Sequence, residues 1–256
     1  MNELTVGNAR ITYRTEGSGP PLVLVHGVGP GSAMWDGVLD RLTGRNTVHL
    51  PDLSGSDTAV DDGSPLTIEA LAEQVIAVLD VAGPADVFGF SLGAPTAAAV
   101  AALRPDLVRR LIVAGGFAHA DDVYLQEMVR TWLSIADSPE GFERFGTLLS
   151  LSRPFLNETG IDAVDGLHGF MHPTDGRLRQ LDLVRRVDVR PLLPSIEART
   201  LVIGFTRDTT VPVENHRELS RSIKGSEYAE LDAGHAATVE RPDEFLKLVH
   251  DFLDRP

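Results

Sequence analysis

Cysteine is absent from the 256 residues, which removes disulfides, thiolate metal sites and cysteine nucleophiles together. Basic charge is scarce: 23 Lys and Arg against 37 Asp and Glu leave −14 with histidines neutral. Such a balance repels phosphate backbones and argues against a nucleic-acid partner. The densest basic stretch holds Arg177, Arg179, Arg185, Arg186 and Arg190, broken by Asp175, Asp182 and Asp188, and it reads as a solvated helix face. Long apolar runs are missing too. No segment approaches the roughly 18 apolar residues needed to span a bilayer. The first residues carry Glu3 and Arg10 among alternating apolar positions, unlike a signal peptide, so a cytoplasmic protein without membrane contact is expected. There is no internal repeat and no low-complexity tract.

What is present builds a core. With 43% hydrophobic and 23% charged residues the chain has the composition of a folded globular protein, and α/β enzymes commonly use this length as one unit. Residues 2–15 alternate around a turn at Gly7-Asn8, as an opening hairpin does. Leu22-Val23-Leu24-Val25 is a continuous apolar run suited to a strand covered on both faces, which favours a parallel sheet. Strand-like 47–50, 86–90 and 111–114 then alternate with helix-like 66–81 and 95–103; Ile68, Leu71, Val75, Val78 and Leu79 mark one helical face. The alternation resumes with 201–203, a helical 213–223, a short strand at 228–231 and a last helix displaying Phe245, Leu248, Val249 and Phe252. Such repeats are βαβ units of a doubly wound sheet. Between about 117 and 194 they stop. Helix-like 124–135 and 142–151, with Gly and Pro breaks and no clear strand, predict a helical lid over the carboxyl edge of the sheet, where open α/β sheets bind ligands.

The chemistry concentrates in Gly89-Phe90-Ser91-Leu92-Gly93, between a strand and a helix-forming run. With 24 glycines a chance G-x-S-x-G is not rare, so its position carries the weight. A sharp strand-to-helix turn needs the two glycines and lifts Ser91 out at a helix N-terminus, where a developing oxyanion is favoured. Pro95 falls in the first helical turn, where its missing N–H costs nothing. A serine needs a histidine base oriented by an acid. Of the eight histidines, His235 lies between the last short strand and the last helix, at the sheet edge. His26 ends the buried strand and suits a structural role in the loop that follows. His119, His168 and His172 fall in the lid; His168 and His172 are four apart, but Gly169 and Pro173 weaken that helix and no third ligand is evident, so no metal is expected. His49, His216 and His250 read as ordinary, partly exposed residues. Asp208, after the strand at 201–205, completes the chain order serine, acid, histidine.

In that order the sequence resembles the α/β-hydrolase superfamily along nearly its whole length. The matching motifs are His26-Gly27-Val28-Gly29, Asp52-Leu53-Ser54-Gly55-Ser56, Gly89 to Gly93, Asp208 to Pro212, and Gly234-His235 leading into Glu240-Arg241-Pro242 and Phe245. The resemblance implies a mostly parallel eight-stranded sheet with core residues 1–116 and 195–256 and a lid of residues 117–194 inserted after the sixth strand. It also implies Ser91 as nucleophile, His235 as base then acid, Asp208 as its carboxylate, and the backbone N–H groups of Val28 and Leu92 as oxyanion hole, with no cofactor. Ser54-Gly55-Ser56-Asp57 departs from the usual second glycine, and a serine at 91 excludes the aspartate-nucleophile branches. The loop His26 to Gly31 with Trp35 is similar to that of the meta-cleavage C–C bond hydrolases, but Ala236 and Leu92-Gly93-Ala94 depart from their pattern. The expectation is an esterase or lactonase acting on a small, fairly apolar carboxylic ester, lactone or thioester, with Trp132, Phe142, Phe145, Phe155 and Phe170 as lid candidates for substrate contact. A non-hydrolytic or C–C bond-cleaving enzyme of small-molecule metabolism and a ligand receptor are the alternatives on the same scaffold. Monomer and homodimer are equally compatible with the sequence.

Overall fold

The computed structural model describes residues 1–255. Eight strands form one sheet: β1 (Asn2–Val6), β2 (Ala9–Gly17), β3 (Pro21–Val25), β4 (Thr47–Asp52), β5 (Ala85–Phe90), β6 (Val108–Ala114), β7 (Arg199–Phe205) and β8 (Glu227–Leu231), in the order β1-β2-β4-β3-β5-β6-β7-β8. β2 runs antiparallel to both β1 and β4, and every pair from β4 to β8 is parallel. The hairpin, the doubly wound sheet and the insertion after the sixth strand are as the sequence predicts.

Side-chain alternation along the central strands builds two apolar layers. Leu22, Leu24, Phe88, Ile112 and Ile203 face α1 (Asp36–Thr43) and α11 (Pro242–Leu253), with Trp35 and Phe245 filling the space between. Val23, Val25, Val87, Leu111 and Val113 face α2 (Ile68–Ala82) and α3 (Gly93–Leu103). Thr67 caps α2 by accepting from the Ala70 N–H at 3.1 Å, which sets its start. α3 is buried nearly all round, so its alanines serve close packing: small side chains let the helix behind Ser91 sit on the middle of the sheet.

Between β6 and β7 lie α4 (Val123–Ser134), α5 (Pro139–Ser150), α6 (Arg153–Thr159), α7 (Ile161–Asp165) and α8 (Asp175–Val184). Asp122, Ser138, Ser152 and Thr174 cap α4, α5, α6 and α8 with their side-chain oxygens. The arginine stretch is only in part the solvated face expected: Arg186 and Arg190 are exposed, whereas Arg177 and Arg179 on α8 turn toward the sheet domain. Arg177 is buried and grips Asp57 through both carboxylate oxygens at 2.9 and 2.8 Å; Arg179 does the same to Asp61, and Arg186 donates to the Leu66 carbonyl. The acidic partners lie in the loop between β4 and α2, so the charges pair across elements and clamp α8 to the sheet domain. α9 (Val213–Ser222) follows β7, and the four-residue α10 (Ala237–Glu240) follows β8.

Candidate active site

Ser91 lies between β5 and α3 at φ +55°, the one non-glycine residue with positive φ among the described residues. That conformation is costly for a side chain and persists only where surroundings enforce it. The two glycines of the motif do so. A Cβ on Gly89 would stand 2.2 Å from the Gly93 carbonyl oxygen, and one on Gly93 would stand 2.2 Å from that of Val25. The Ser91 N–H donates to the Ala114 carbonyl at 2.9 Å, tying the turn to β6.

His235, in the loop after β8, places Nε2 2.9 Å from Ser91 Oγ and Nδ1 2.6 Å from Asp208 Oδ2. Since Asp208 accepts, the neutral ring carries its proton on Nδ1 and leaves Nε2 to accept from the serine hydroxyl. Asp208 is buried in the loop after β7, and its other oxygen accepts from the N–H groups of Thr210 and Val211, both at 2.8 Å. A carboxylate held by two amides and one imidazole keeps a fixed orientation. Ser91, His235 and Asp208 therefore meet in one relay.

The backbone N–H groups of Val28 and Leu92 have no hydrogen-bond acceptor among the described residues. The loop that carries Val28 is pinned on three sides. His26, buried, accepts the Leu53 N–H on Nε2 at 2.9 Å, which gives it the structural role expected. Asp52 accepts the Ser32 N–H at 2.6 Å. Gln180 of α8 accepts the Gly29 N–H at 3.0 Å and donates to the Ser54 carbonyl at 3.2 Å. The insertion also grips the relay: Thr209 and Thr210 hydroxyls donate to the Leu149 carbonyl, and the Ala236 N–H donates to that of Ser150. These are orphan carbonyls at the C-terminus of α5, satisfied by the acid and histidine loops. Glu240 binds the N–H and hydroxyl of Ser152 at 2.6 and 2.7 Å.

Above Ser91 opens a cavity of about 540 Å³ lined by both sheet loops and insertion, including Met34, Phe117, Met128, Leu151 and Leu181. Among the described residues it presents no Lys, Arg, Asp or Glu; its titratable groups are His235 and His168. Of the five aromatic candidates, Trp132 and Phe170 line the cavity. Phe142 is fully buried beside Trp132, whose indole N–H donates to the Phe142 carbonyl at 3.1 Å; Phe145 packs edge-on to Trp132; Phe155 lies on α6 away from the lining. Phe170 and Val239 are about half exposed and edge the mouth.

No cluster of three or more His, Asp or Glu side chains suited to a metal exists among the described residues. His168 shares a hydrogen bond with Thr147 and receives one from Arg144, and His172 pairs with Glu143 at 2.7 Å. His49 and His216, expected to be partly exposed, are both buried. His216 has 0% exposure, accepts the Phe205 N–H on Nδ1 at 3.2 Å, and is pushed down to about 4 chiefly by burial. Its spacing of three from buried Leu219 on α9 was the available signal, as was the 177, 180, 181, 184 face of α8 for Arg177 and Gln180.

Comparison with known proteins agrees with the architecture. Residues 22–248 match the model described as "Alpha/beta hydrolase family". The chain is 36% identical to the pyrrolizixenacetamide deacetylase of Xenorhabdus hominickii, covering 99% of this chain and 98% of that protein. It is 32% identical to a pimeloyl-[acyl-carrier protein] methyl ester esterase of Neisseria meningitidis, over 90% of this chain and 92% of the other. The enol-lactonase from Burkholderia xenovorans LB400 superposes with a TM-score of 0.88 at 25% identity, covering 99% of this chain and 100% of that one. Fold, strand order and the match over most of its length place the chain in the alpha/beta hydrolase family.

Proposed function

We propose that the protein is a serine acyl hydrolase that cleaves a small, electroneutral and fairly apolar carboxylic ester, lactone or thioester through an acyl-enzyme, with residues 117–194 as its lid. The observation that carries this reading is the relay from Asp208 through His235 to Ser91 at the floor of a cavity without a charged side chain. His235 takes the Ser91 proton as Oγ attacks the acyl carbon. The Leu92 amide at the head of α3 and the Val28 amide in the loop after β3 receive the oxyanion. His235 then returns the proton to the leaving group, and water, activated by the same ring, releases the acid. Asp208 holds the ring in its tautomer throughout. A cavity of this volume suits a small ligand, and a charged substituent would be desolvated there without a counter-ion.

Purified protein assayed against p-nitrophenyl esters of graded chain length, lactones and acyl thioesters, with hemisuccinate esters as charged counterparts, tests the reading. Turnover of neutral esters well above the charged ones is expected; failure of every ester, lactone and thioester would overturn it. Amide deacylation is the second reading, favoured by 36% identity across 99% of the chain to a protein named as a deacetylase. Release of p-nitroaniline from p-nitroacetanilide faster than acetate-ester hydrolysis would move it ahead.

A further inference from the structure

His216 lies outside the relay yet touches its carboxylate. Its ring is on α9, fully buried, with Nε2 3.7 Å from Asp208 Oδ2. The tautomer follows from the other nitrogen: Nδ1 accepts the Phe205 N–H at 3.2 Å, so a neutral ring must carry its proton on Nε2. That Nε2 has no hydrogen-bond partner among the described residues, which is unusual for a buried polar atom. The same Oδ2 accepts from His235 Nδ1 at 2.6 Å. Two imidazoles thus flank one carboxylate oxygen, one formally bonded and one just beyond bonding distance.

We propose that His216 is a positioning residue of the catalytic acid: a neutral ring whose Nε2–H lies against Asp208 Oδ2, helps hold the carboxylate in place and moderates the basicity that Asp208 confers on His235. The inference rests on the acyl-hydrolase reading for its consequence in catalysis. Oδ1 is already occupied by the Thr210 and Val211 amides, so Oδ2 carries the charge that His235 senses. A donor dipole beside Oδ2 draws on that charge, and the imidazolium formed when His235 takes the serine proton is correspondingly less stabilised. The other charged and titratable groups facing His216 are Glu214 on its own helix and Glu230 on β8, while the Tyr228 hydroxyl is held by Glu230 at 3.0 Å. Burial keeps His216 neutral through the range in which His235 must work, so it contributes a fixed dipole and no charge.

Substitution separates the two nitrogens. In His216→Asn the amide oxygen can still accept the Phe205 N–H, but nothing reaches Asp208; in His216→Gln the longer amide restores a donor near Oδ2. The test is an NMR titration of the histidine rings in the Ser91→Ala background, which requires no turnover. The His235 midpoint is expected to rise by about half a pH unit in His216→Asn, at the low end of what a full hydrogen bond to a carboxylate would give because the contact is 3.7 Å, and to return toward the parent value in His216→Gln. An unchanged midpoint in His216→Asn overturns the proposal. If that variant does not fold, the ring 15N shifts of the unsubstituted protein decide: Nε2 protonated and Nδ1 bare supports it, and the opposite tautomer overturns it. Failure of Ser91 to react with a fluorophosphonate would sink the acyl-hydrolase reading while leaving these titrations interpretable.

Discussion

Replacing Gln180 by leucine tests whether the insertion helps to build the proposed oxyanion site or merely covers it. Gln180 is 1% exposed, and its two hydrogen bonds join α8 to the Gly29 N–H and the Ser54 carbonyl. Leucine has nearly the same volume, so the substitution opens no large cavity. It strands two buried backbone groups, each costing about 1–3 kcal/mol when unmade, for a total of about 2–6 kcal/mol. In a protein of this size, at about 2 °C per kcal/mol, that lowers the melting temperature by about 4–12 °C. The catalytic effect has a ceiling, because losing one oxyanion donor outright costs about 100- to 1000-fold in kcat. Gly29 adjoins Val28, and a displaced rather than deleted donor should lose about tenfold in kcat with KM little changed. Gln180→Glu keeps the acceptor for Gly29 and gives up the amide donor to Ser54, so kcat should recover more than the melting temperature does. Steady-state kinetics on the best ester and thermal melts of all three proteins suffice. If Gln180→Leu melts early but keeps the parent kcat, the oxyanion loop supports itself and the reasoning fails.

Gly89→Ala should remove turnover on every ester, because its Cβ would lie 2.2 Å from the Gly93 carbonyl oxygen and the turn holding Ser91 cannot survive that clash; retained kcat would contradict this. Phe170→Ala should raise KM while leaving the melting temperature within a few degrees, since the ring is 50% exposed, whereas Trp132→Ala should destabilise by about 3–5 kcal/mol as a buried aromatic truncation. Denaturant melts beside the kinetics would separate the two. Stability should also fall with acid through His216: held near 4 when folded and near 6.5 when unfolded, it makes the unfolded chain bind the extra proton between those values. Its contribution is full above about pH 6.5 and declines by about 3 kcal/mol on going down to pH 4. Urea unfolding from pH 7 to 4 should show this, and His216→Asn should flatten it.

The parts of this molecule that were legible in the sequence are those written in one segment. The glycine-flanked Ser91, the apolar strands 22–25 and 86–90 and the amphipathic 66–81 each state their structure locally, and chain order adds Asp208 and His235. What escaped is written across segments. Arg177 and Arg179 looked solvated because their own stretch supplies acids, while their partners Asp57 and Asp61 lie about 120 positions earlier. Gln180 and Gly29 are likewise distant, so nothing local announced that α8 holds the loop that carries Val28. His216 was hidden by its polarity; burial of an imidazole beside a carboxylate depends on β7, α9 and the acid loop converging. Among the five aromatic candidates of the insertion, helix periodicity marked buried faces without telling cavity wall from core, and of these five Trp132 and Phe170 face the space above Ser91.

The central claim is that Ser91 is a nucleophile activated by His235 and Asp208. Intact-protein mass spectrometry after exposure to a fluorophosphonate tests it most directly, with peptide mapping of the adduct. One phosphonyl group on Ser91, absent in Ser91→Ala and strongly slowed in His235→Ala, is the predicted result. An unlabelled parent protein, or an adduct that persists in Ser91→Ala, would contradict it.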